Sequence, residues 1–165
     1  MKSHAPLELR PTSEADRTFI ARLNFLTDTF GDETAQLTPE FDQDFRFYVE
    51  NWDPVDGGFV AWAGNVPAGG VWLLWGSAEL HGSGFIEEGT PELAIAIEPR
   101  FRGTGLASQL LEAAIDLARE IGAPGISLAV SSGNHQARGV YEHKGFGLAD
   151  VESDSDNYTV MEIRF

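Results

Sequence analysis

The run 99–108, Pro-Arg-Phe-Arg-Gly-Thr-Gly-Leu-Ala-Ser, has the residue types and spacing of an anion-binding turn. An apolar run precedes it and an amphipathic run, 106–121, follows it, so the predicted order is strand, glycine-rich turn and helix. Glycine lets backbone N–H groups approach an anion closely, and the first N–H groups of a helix lack internal partners. The sequence therefore predicts a phosphate-binding turn. The alternative is an ordinary strand-to-helix connection whose glycines allow tight packing.

This turn matches neither the Walker A motif nor the dinucleotide fingerprint GxGxxG. The four histidines lack the spacing of metal ligands, so no metal site is expected. The absence of cysteine excludes disulfides, zinc–thiolate sites and a cysteine nucleophile. Ser131 and Ser132 show no Ser–His–Asp arrangement, which argues against a hydrolase. His81 remains a secondary candidate for acid–base chemistry.

The composition of the 165 residues predicts one globular domain over 1–165, with 42% hydrophobic residues available for a core. No run reaches transmembrane length and no signal-peptide core is present, so a cytoplasmic location is expected. The net charge of −15 makes nucleic acid an unfavourable partner and would attract cationic substrates at long range. Solubility or adaptation to salt is the simpler explanation of that charge.

The elements that must position the turn can be read from hydrophobic spacing and from turn residues. Strands are predicted at 7–10, 59–62, 70–75, 92–98, 126–130 and 158–165. Helices are predicted over 13–25, from Thr38 onward, over 106–121 and over 135–144. Irregular loops are expected at 76–90 and in the acidic run 152–156. This order predicts an α/β domain with a mixed sheet.

Two of the predicted helices have a recognisable apolar side. In the first helical region the expected buried residues are Ile20, Leu23 and Phe30. In the helix after the turn, the expected apolar side consists of Leu106, Leu110, Ala114, Leu117 and Ile121.

The glycine-rich turn resembles motif A of the GNAT N-acetyltransferase superfamily, Gln/Arg-x-x-Gly-x-Gly/Ala. Two registers fit, one beginning at Arg100 and one at Arg102. The second is preferred because Pro99 and Phe101 reproduce the residues that usually precede the motif. The run 134–146 resembles motif B of the same superfamily, through Asn134, Ala137, Tyr141, Gly145 and Phe146. The combination, which covers 92–146, is highly specific.

The resemblance implies a GNAT-like fold, in which a mixed, mostly antiparallel central sheet is flanked by helices. It also implies acetyl-CoA as co-substrate. The pyrophosphate would lie on the amides of the turn, and the backbone of β-strand residues would pair with the pantetheine arm. The implied cofactor-binding residues are Ile95, Ala96, Ile97, Arg102, Gly103, Thr104, Gly105, Leu106, Ala107, Ser108 and Asn134. Asn134 is also suited to capping the following helix.

The resemblance further assigns catalytic roles to Glu92 and Tyr141. A glutamate near the start of this strand serves as general base in many members, and the tyrosine donates a proton to the thiolate leaving group. Other members place a glutamate on the next strand, but this chain has Ala129 there. Glu87 and Glu88 are therefore the alternative bases. A solvated carboxylate and a core aromatic residue are the structural alternatives for Glu92 and Tyr141.

The expected function is transfer of the acetyl group of acetyl-CoA to a primary amine of a small molecule. A non-catalytic acyl-CoA-binding module and a protein N-acetyltransferase are the alternatives. The helical region after Thr38 would wall the acceptor site in such an enzyme, although most of its aromatic residues are interpreted as core. The expected partner is a small amine, without nucleic acid or membrane, and the chain could act as a monomer or a homodimer.

Overall fold

The computed structural model describes residues 5–151 and 157–165 as a seven-stranded sheet with helices on both faces. The strands lie in the order β1-β2-β3-β4-β5-β7-β6. They are β1 (Leu7–Pro11), β2 (Gly58–Ala63), β3 (Val66–Leu74), β4 (Glu92–Ile97), β5 (Gly125–Ser131), β6 (Gly147–Leu148) and β7 (Tyr158–Arg164). Every neighbouring pair is antiparallel except β4 and β5. The predicted mixed, mostly antiparallel sheet is thereby confirmed.

The helices are α1 (Arg17–Asp28), α2 (Phe41–Phe45), α3 (Leu106–Glu120) and α4 (His135–His143). A π-helical turn, Arg46–Glu50, continues α2, and Asn51 N–H closes it onto the Arg46 carbonyl at 2.9 Å. Short 3-10 turns lie at Glu14–Asp16, Pro54–Asp56 and Pro99–Phe101. None of the helices in the described ranges is long and apolar enough to cross a membrane. The predicted acidic loop 152–156 lies outside the described residues.

The sheet separates two hydrophobic clusters. On one face α3 buries Leu106, Leu110, Leu111 and Ala114 against β2, β3, β4 and β5. Ile121, predicted on this apolar side, is 50% exposed because it lies beyond the last residue of α3. The opposite face carries α1 and α2.

Helix α1 packs on the second face through Ile20 and Leu23, as predicted. Gly70 of β3 allows this close approach, because a Cβ there would lie 2.9 Å from Leu23 Cδ1. The expectation that Phe30 is buried is wrong: its side chain is 64% exposed. Phe30 lies past the end of α1 with a φ of +55°, which turns it away from the helical face.

The parallel pair β4–β5 is joined at one end only. Glu92 and Ser127 form the single bridging pair, and Ser127 N–H donates to the Pro91 carbonyl at 3.0 Å. By contrast, all six residues of β4 are paired with β3 on its other side. The two central strands therefore diverge after Glu92, and a gap opens between them.

Candidate active site

The glycine-rich turn that we predict to bind phosphate lies at the N-terminus of α3. Gly103 and Gly105 have left-handed φ angles of +76° and +78°. A Cβ at either position would meet no described atom within 4 Å, so open space lies above this backbone. Gln109 N–H donates to the Gly105 carbonyl at 3.3 Å, which begins the hydrogen bonding of α3. The amides of residues 106–108 precede that bond and are suited to hold an anion.

Two arginines border this turn. Arg102 lies against the segment that follows α1, where its guanidinium occupies the space that a Cβ on Gly31 would need. Arg100 stacks on the ring of Phe101, with 5.2 Å between the guanidinium carbon and the ring centroid. Both registers of the motif therefore keep a cation beside the turn.

Beyond Glu92, the edge of β4 that faces the gap has no strand partner among the described residues. Glu98 N–H donates to the Ala68 carbonyl of β3 at 2.9 Å. This bond establishes which residues of β4 turn their backbone groups toward β3 and which turn them away. In an antiparallel pair, every second residue is bonded to its neighbour, so Ala96 and Ala94 bond to β3. Ile95 and Ile97 then direct their N–H and C=O groups toward the gap. An extended arm laid along β4 can pair with Ile95 and Ile97, whereas the backbone of Ala96 is already bonded.

Glu92 lies at the closed end of this gap, and its side chain is 3% exposed. Its Oε2 atom accepts hydrogen bonds from the Tyr48 hydroxyl at 2.5 Å and from Gly84 N–H at 3.2 Å. Its Oε1 atom is buried without a partner among the described residues. The structural alternative of a solvated carboxylate is thus wrong.

Burial raises the pKa of Glu92 to about 7, even though the hydrogen bonds from Tyr48 and Gly84 lower it. Burial is also the main cause that raises the pKa of Tyr48 well above 10, followed by the charge of Glu92. A carboxylate with a pKa near neutral pH can both accept and release a proton under working conditions.

A glycine-rich segment, Gly82-Ser83-Gly84, covers Glu92. A Cβ on Gly84 would lie 2.7 Å from Ala129 N and 2.9 Å from Glu92 Cδ. Ser127 Oγ donates to the Gly84 carbonyl at 2.7 Å, and Ser83 N–H donates to the Tyr48 hydroxyl at 3.1 Å. This covering segment is therefore held by β5 and by the π-helical turn. Its backbone fits there only because residues 82 and 84 are glycines.

Tyr48 is the site residue that the sequence did not identify. It belongs to the helical region after Thr38, most of whose aromatic residues are interpreted as core, and its neighbours Phe47 and Val49 are buried in the core. The Tyr48 carbonyl accepts from Trp72 Nε1 at 2.9 Å, which fixes the π-helical turn to β3. The available signal was the tyrosine hydroxyl, a polar group that needs a partner when buried.

Tyr141 lies on α4, which Asn134 precedes as N-cap, and its cluster is on the other side of the sheet from Tyr48. Tyr141 packs with the α3-side cluster and meets the Phe146 ring at 6.2 Å between centroids. Burial raises its pKa to about 12. Asn134 caps α4, because its side-chain oxygen accepts from Ala137 N–H at 3.1 Å. Asn134 therefore serves as the helix cap that the sequence predicts, and the residue remains exposed.

We call the buried space around Glu92, bounded by Tyr48, segment 82–84 and Ser127, the Glu92 enclosure. The alternative acid–base candidates of the 76–90 loop lie outside it. Glu87 accepts from Thr90 Oγ1 at 3.2 Å and Glu88 accepts from Ala78 N–H at 3.3 Å, and both side chains are exposed. His81 stacks on Phe85 at 4.6 Å between ring centroids. No group of three or more His, Asp or Glu side chains within 5–151 and 157–165 could hold a metal ion.

The family model for the acetyltransferase (GNAT) family matches residues 23–146. Mycothiol acetyltransferase from Nocardiopsis dassonvillei is 32% identical over 124 residues, which cover 73% of this chain and 36% of that protein. A Bacillus subtilis protein, provisionally named a ribosomal protein alanine N-acetyltransferase, is 33% identical over 90 residues, covering 54% of this chain and 50% of that protein. The chain thus spans between about a third and a half of the length of these relatives.

Solved structures share the fold. The PaiA N-acetyltransferase from Thermoplasma acidophilum, crystallised in complex with coenzyme A, superposes with a TM-score of 0.63 at 17% identity. The match covers 97% of this chain and 99% of that one. The likeness shows the shared fold, and the family-model match over 23–146 shows that the chain belongs to the acetyltransferase (GNAT) family.

Proposed function

We propose that this chain transfers the acetyl group of acetyl-CoA to the primary amine of a small molecule. One observation carries the proposal: a buried carboxylate, Glu92, lies at the closed end of a gap whose open edge leads to an anion-binding turn. The pyrophosphate of acetyl-CoA needs amide donors, its pantetheine arm can pair with a strand edge, and the protonated amine that attacks its thioester needs a proton acceptor.

The residues of the chain fit this co-substrate. The amides of residues 103–108 would hold its pyrophosphate beside Arg102, and Ile95 and Ile97 would pair with its pantetheine arm. The exposed side of Asn134 would bond a pantetheine amide. When bound, acetyl-CoA supplies an acetyl thioester, whose C–S bond is exchanged for the C–N bond of the acetylated amine.

Glu92 is the proposed general base, and its enclosure dictates the route of the proton. The covering segment 82–84 separates the Glu92 carboxylate from solvent, and the Tyr48 hydroxyl donates a hydrogen bond to that carboxylate. A proton that leaves the ammonium group of the acceptor passes to the Tyr48 oxygen while the Tyr48 proton moves to Glu92 Oε2. The pKa of about 7 makes the carboxylate an effective acceptor at neutral pH.

Tyr141 is the proposed partner of the leaving sulfur. With a pKa of about 12, its hydroxyl keeps its proton at neutral pH and serves as a hydrogen-bond donor. Full proton transfer to a thiolate, whose ordinary pKa is ~8.5, would be unfavourable from this phenol. Tyr141 therefore stabilises the departing charge by a hydrogen bond rather than by releasing its proton.

We favour a small-molecule acceptor because the covering segment 82–84 is bonded to both Tyr48 and Glu92, so that the base is enclosed rather than set beside an open groove. The relatives include both kinds of enzyme by name, so the acceptor must be tested directly. The experiment is to measure thiol release from acetyl-CoA with small amines, amino acids and peptides. Turnover with peptides alone would overturn the small-molecule assignment, and acetyl-CoA binding without any turnover would indicate a non-catalytic module.

A further inference from the structure

The middle of β4 is incompletely covered on the sheet face that carries α1. Glu92, Ala94 and Ala96 share this face, because side chains alternate along a strand. Ala94 and Ala96 pack against the hydrophobic cluster under α1, yet both are only partly buried although β4 is a central strand. Space therefore remains above the two alanines, next to Glu92. We call this space the β4 cleft.

Helix α1 and the π-helical turn form the two walls of the β4 cleft. Leu23 of α1 lies against Gly70 of β3, which pairs with Ala96, so the helix crosses the sheet near Ala96. At the other end, Tyr48 of the turn bonds to Glu92. In the proposed reaction the acceptor amine gives its proton to Tyr48, so the acceptor has to lie between these two walls.

Asn24 lies on the flank of α1 that faces the π-helical turn. At 3.6 residues per turn, Arg17, Asn24 and Asp28 share one flank of the helix. The Arg17 guanidinium donates to the Val49 carbonyl of the turn, and the Asp28 carboxylate accepts from Thr38 N–H at 3.0 Å, ahead of α2. Asn24 is therefore held between two points that tie α1 to the opposite wall.

The side-chain amide of Asn24 is buried without a partner. The residue is 6% exposed, and its Nδ2 atom has no hydrogen-bond partner in the part of the chain that the structure describes. A buried donor that makes no hydrogen bond costs stability, and such a group in a folded protein calls for an explanation in function. A molecule bound in the β4 cleft would supply the acceptor atom that this amide needs.

We propose that Asn24 is a specificity-determining residue, whose amide donates a hydrogen bond to an uncharged oxygen of the acceptor. This inference rests on the proposed acetyl transfer and deepens it. The acceptor amine arrives as an ammonium ion, which has only donors and therefore cannot be the partner of the amide. A hydroxyl, ether or carbonyl oxygen can be, whereas a carboxylate is disfavoured by the net charge of −15. An oxygen held at Asn24 directs the amino group toward Tyr48 on the opposite wall.

The test uses two amines of the same length, 2-methoxyethylamine and butylamine, which differ by an ether oxygen in place of one methylene group. Their intrinsic reactivities differ, so the measured quantity is the ratio of their kcat/KM values in each variant. Asn24→Leu removes the donor and should lower the ratio of the ether amine to butylamine about tenfold, without changing acetyl-CoA affinity. An unchanged ratio would overturn the inference.

Asn51→Leu is the matched control, because it makes the same substitution at an exposed residue that follows the π-helical turn. Its ratio should equal that of the unmodified protein. Equal losses in the Asn24 and Asn51 variants would show a general effect of an added apolar side chain and would overturn the assignment. Asn24→Ala should repeat the loss without adding volume, which separates the missing donor from crowding of the β4 cleft.

A stability measurement distinguishes this role from a structural one. A structural asparagine loses hydrogen bonds when it is replaced, and the protein becomes less stable. Asn24→Leu instead removes an unpartnered buried amide, so the midpoint of urea unfolding should rise while the kcat/KM ratio falls. A lower midpoint with an unchanged ratio would make Asn24 a structural residue.

An NMR titration tests the inference even if no amine is acetylated. The coenzyme A-bound protein should bind 2-methoxyethylamine with an affinity that Asn24→Leu weakens about tenfold and Asn51→Leu does not change. This pattern without turnover would refute the proposed reaction and leave the oxygen-binding role of Asn24 standing. Equal affinity in the unmodified protein and in Asn24→Leu would remove that role.

Discussion

The phosphate turn and the Glu92 enclosure lie at opposite ends of β4, and they are built on different principles. Residues 103–108 form their site from consecutive backbone groups, with two glycines in open space. The enclosure joins Tyr48, Gly84, Glu92 and Ser127, which come from four separate elements. The first site depends on local conformation, whereas the second depends on how distant segments pack. Substitutions should therefore affect cofactor affinity at one end and proton transfer at the other.

The largest expected effect follows from a charge placed at the turn. Gly105→Asp puts a carboxylate where a phosphate should lie, and aspartate tolerates a left-handed φ better than most residues. We expect acetyl-CoA affinity to fall by at least about 100-fold, a ΔΔG of about 3 kcal/mol, in calorimetry. Gly122→Asp is the control, since Gly122 has a φ of +80° and open space at the other end of α3. Equal affinity of the two variants would place the cofactor elsewhere.

The next effect is on catalysis. Glu92→Gln keeps the shape of the side chain and removes its basicity, so kcat/KM at neutral pH should fall by roughly 10²–10⁴, the usual contribution of a general base. Acetyl-CoA affinity should stay the same, which would distinguish this end of β4 from the turn. A pH–rate profile measured on one amine should lose its inflection near pH 7. Coincident profiles for variant and unmodified protein would exclude Glu92 as the base.

Tyr48→Phe tests the proposed route of the proton. The Tyr48 hydroxyl lowers the pKa of Glu92, so its removal should raise that pKa and move the inflection of the pH–rate profile to higher pH. The relay should also be interrupted, with a loss of about tenfold or more in kcat above the inflection. A shift without a loss of rate would leave Tyr48 as a positioning residue.

Gly84→Ala tests the packing of the enclosure. Its added Cβ would lie 2.7 Å from backbone atoms of Leu128 and Ala129, which cannot move aside cheaply. The expected destabilisation is about 1–3 kcal/mol in chemical unfolding, as for other overpacked sites. Gly133→Ala should be nearly neutral because the corresponding Cβ meets open space without a left-handed φ. Equal stability of the two variants would mean that segment 82–84 is not held as described.

A pH dependence of stability should also arise from Glu92. Its pKa of about 7 in the fold exceeds its ordinary value of 4.5, so the folded protein retains a proton that the unfolded chain loses. Its contribution is therefore fully present below pH 4.5 and is lost as pH rises through about 7, by up to about 3 kcal/mol. Glu92→Gln should remove this slope in urea unfolding between pH 5 and 8. If the free energies of unfolding of the variant and of the unmodified protein changed in parallel with pH, Glu92 would not have the raised pKa described.

The sequence predicted the main strands and helices and the glycine-rich turn after β4, because these depend on neighbouring residues. Phosphate binding by that turn stays a prediction. Glycine positions, helix periodicity and the Asn134 cap act within a few residues of the chain, so their spacing carries the information. Phe30 and Ile121 were misplaced because a helical period was extended beyond the residues where each helix ends.

Tertiary structure alone decided the environment of Glu92. Tyr48 and Glu92 are 44 residues apart, and nothing in their spacing shows that a hydroxyl would meet a carboxylate. The divergence of β4 from β5, and the segment 82–84 laid over the carboxylate, likewise depend on contacts between distant segments. The sequence could name Glu92 as a candidate base. Its burial and its raised pKa follow only from packing, because desolvation is a property of the assembled fold.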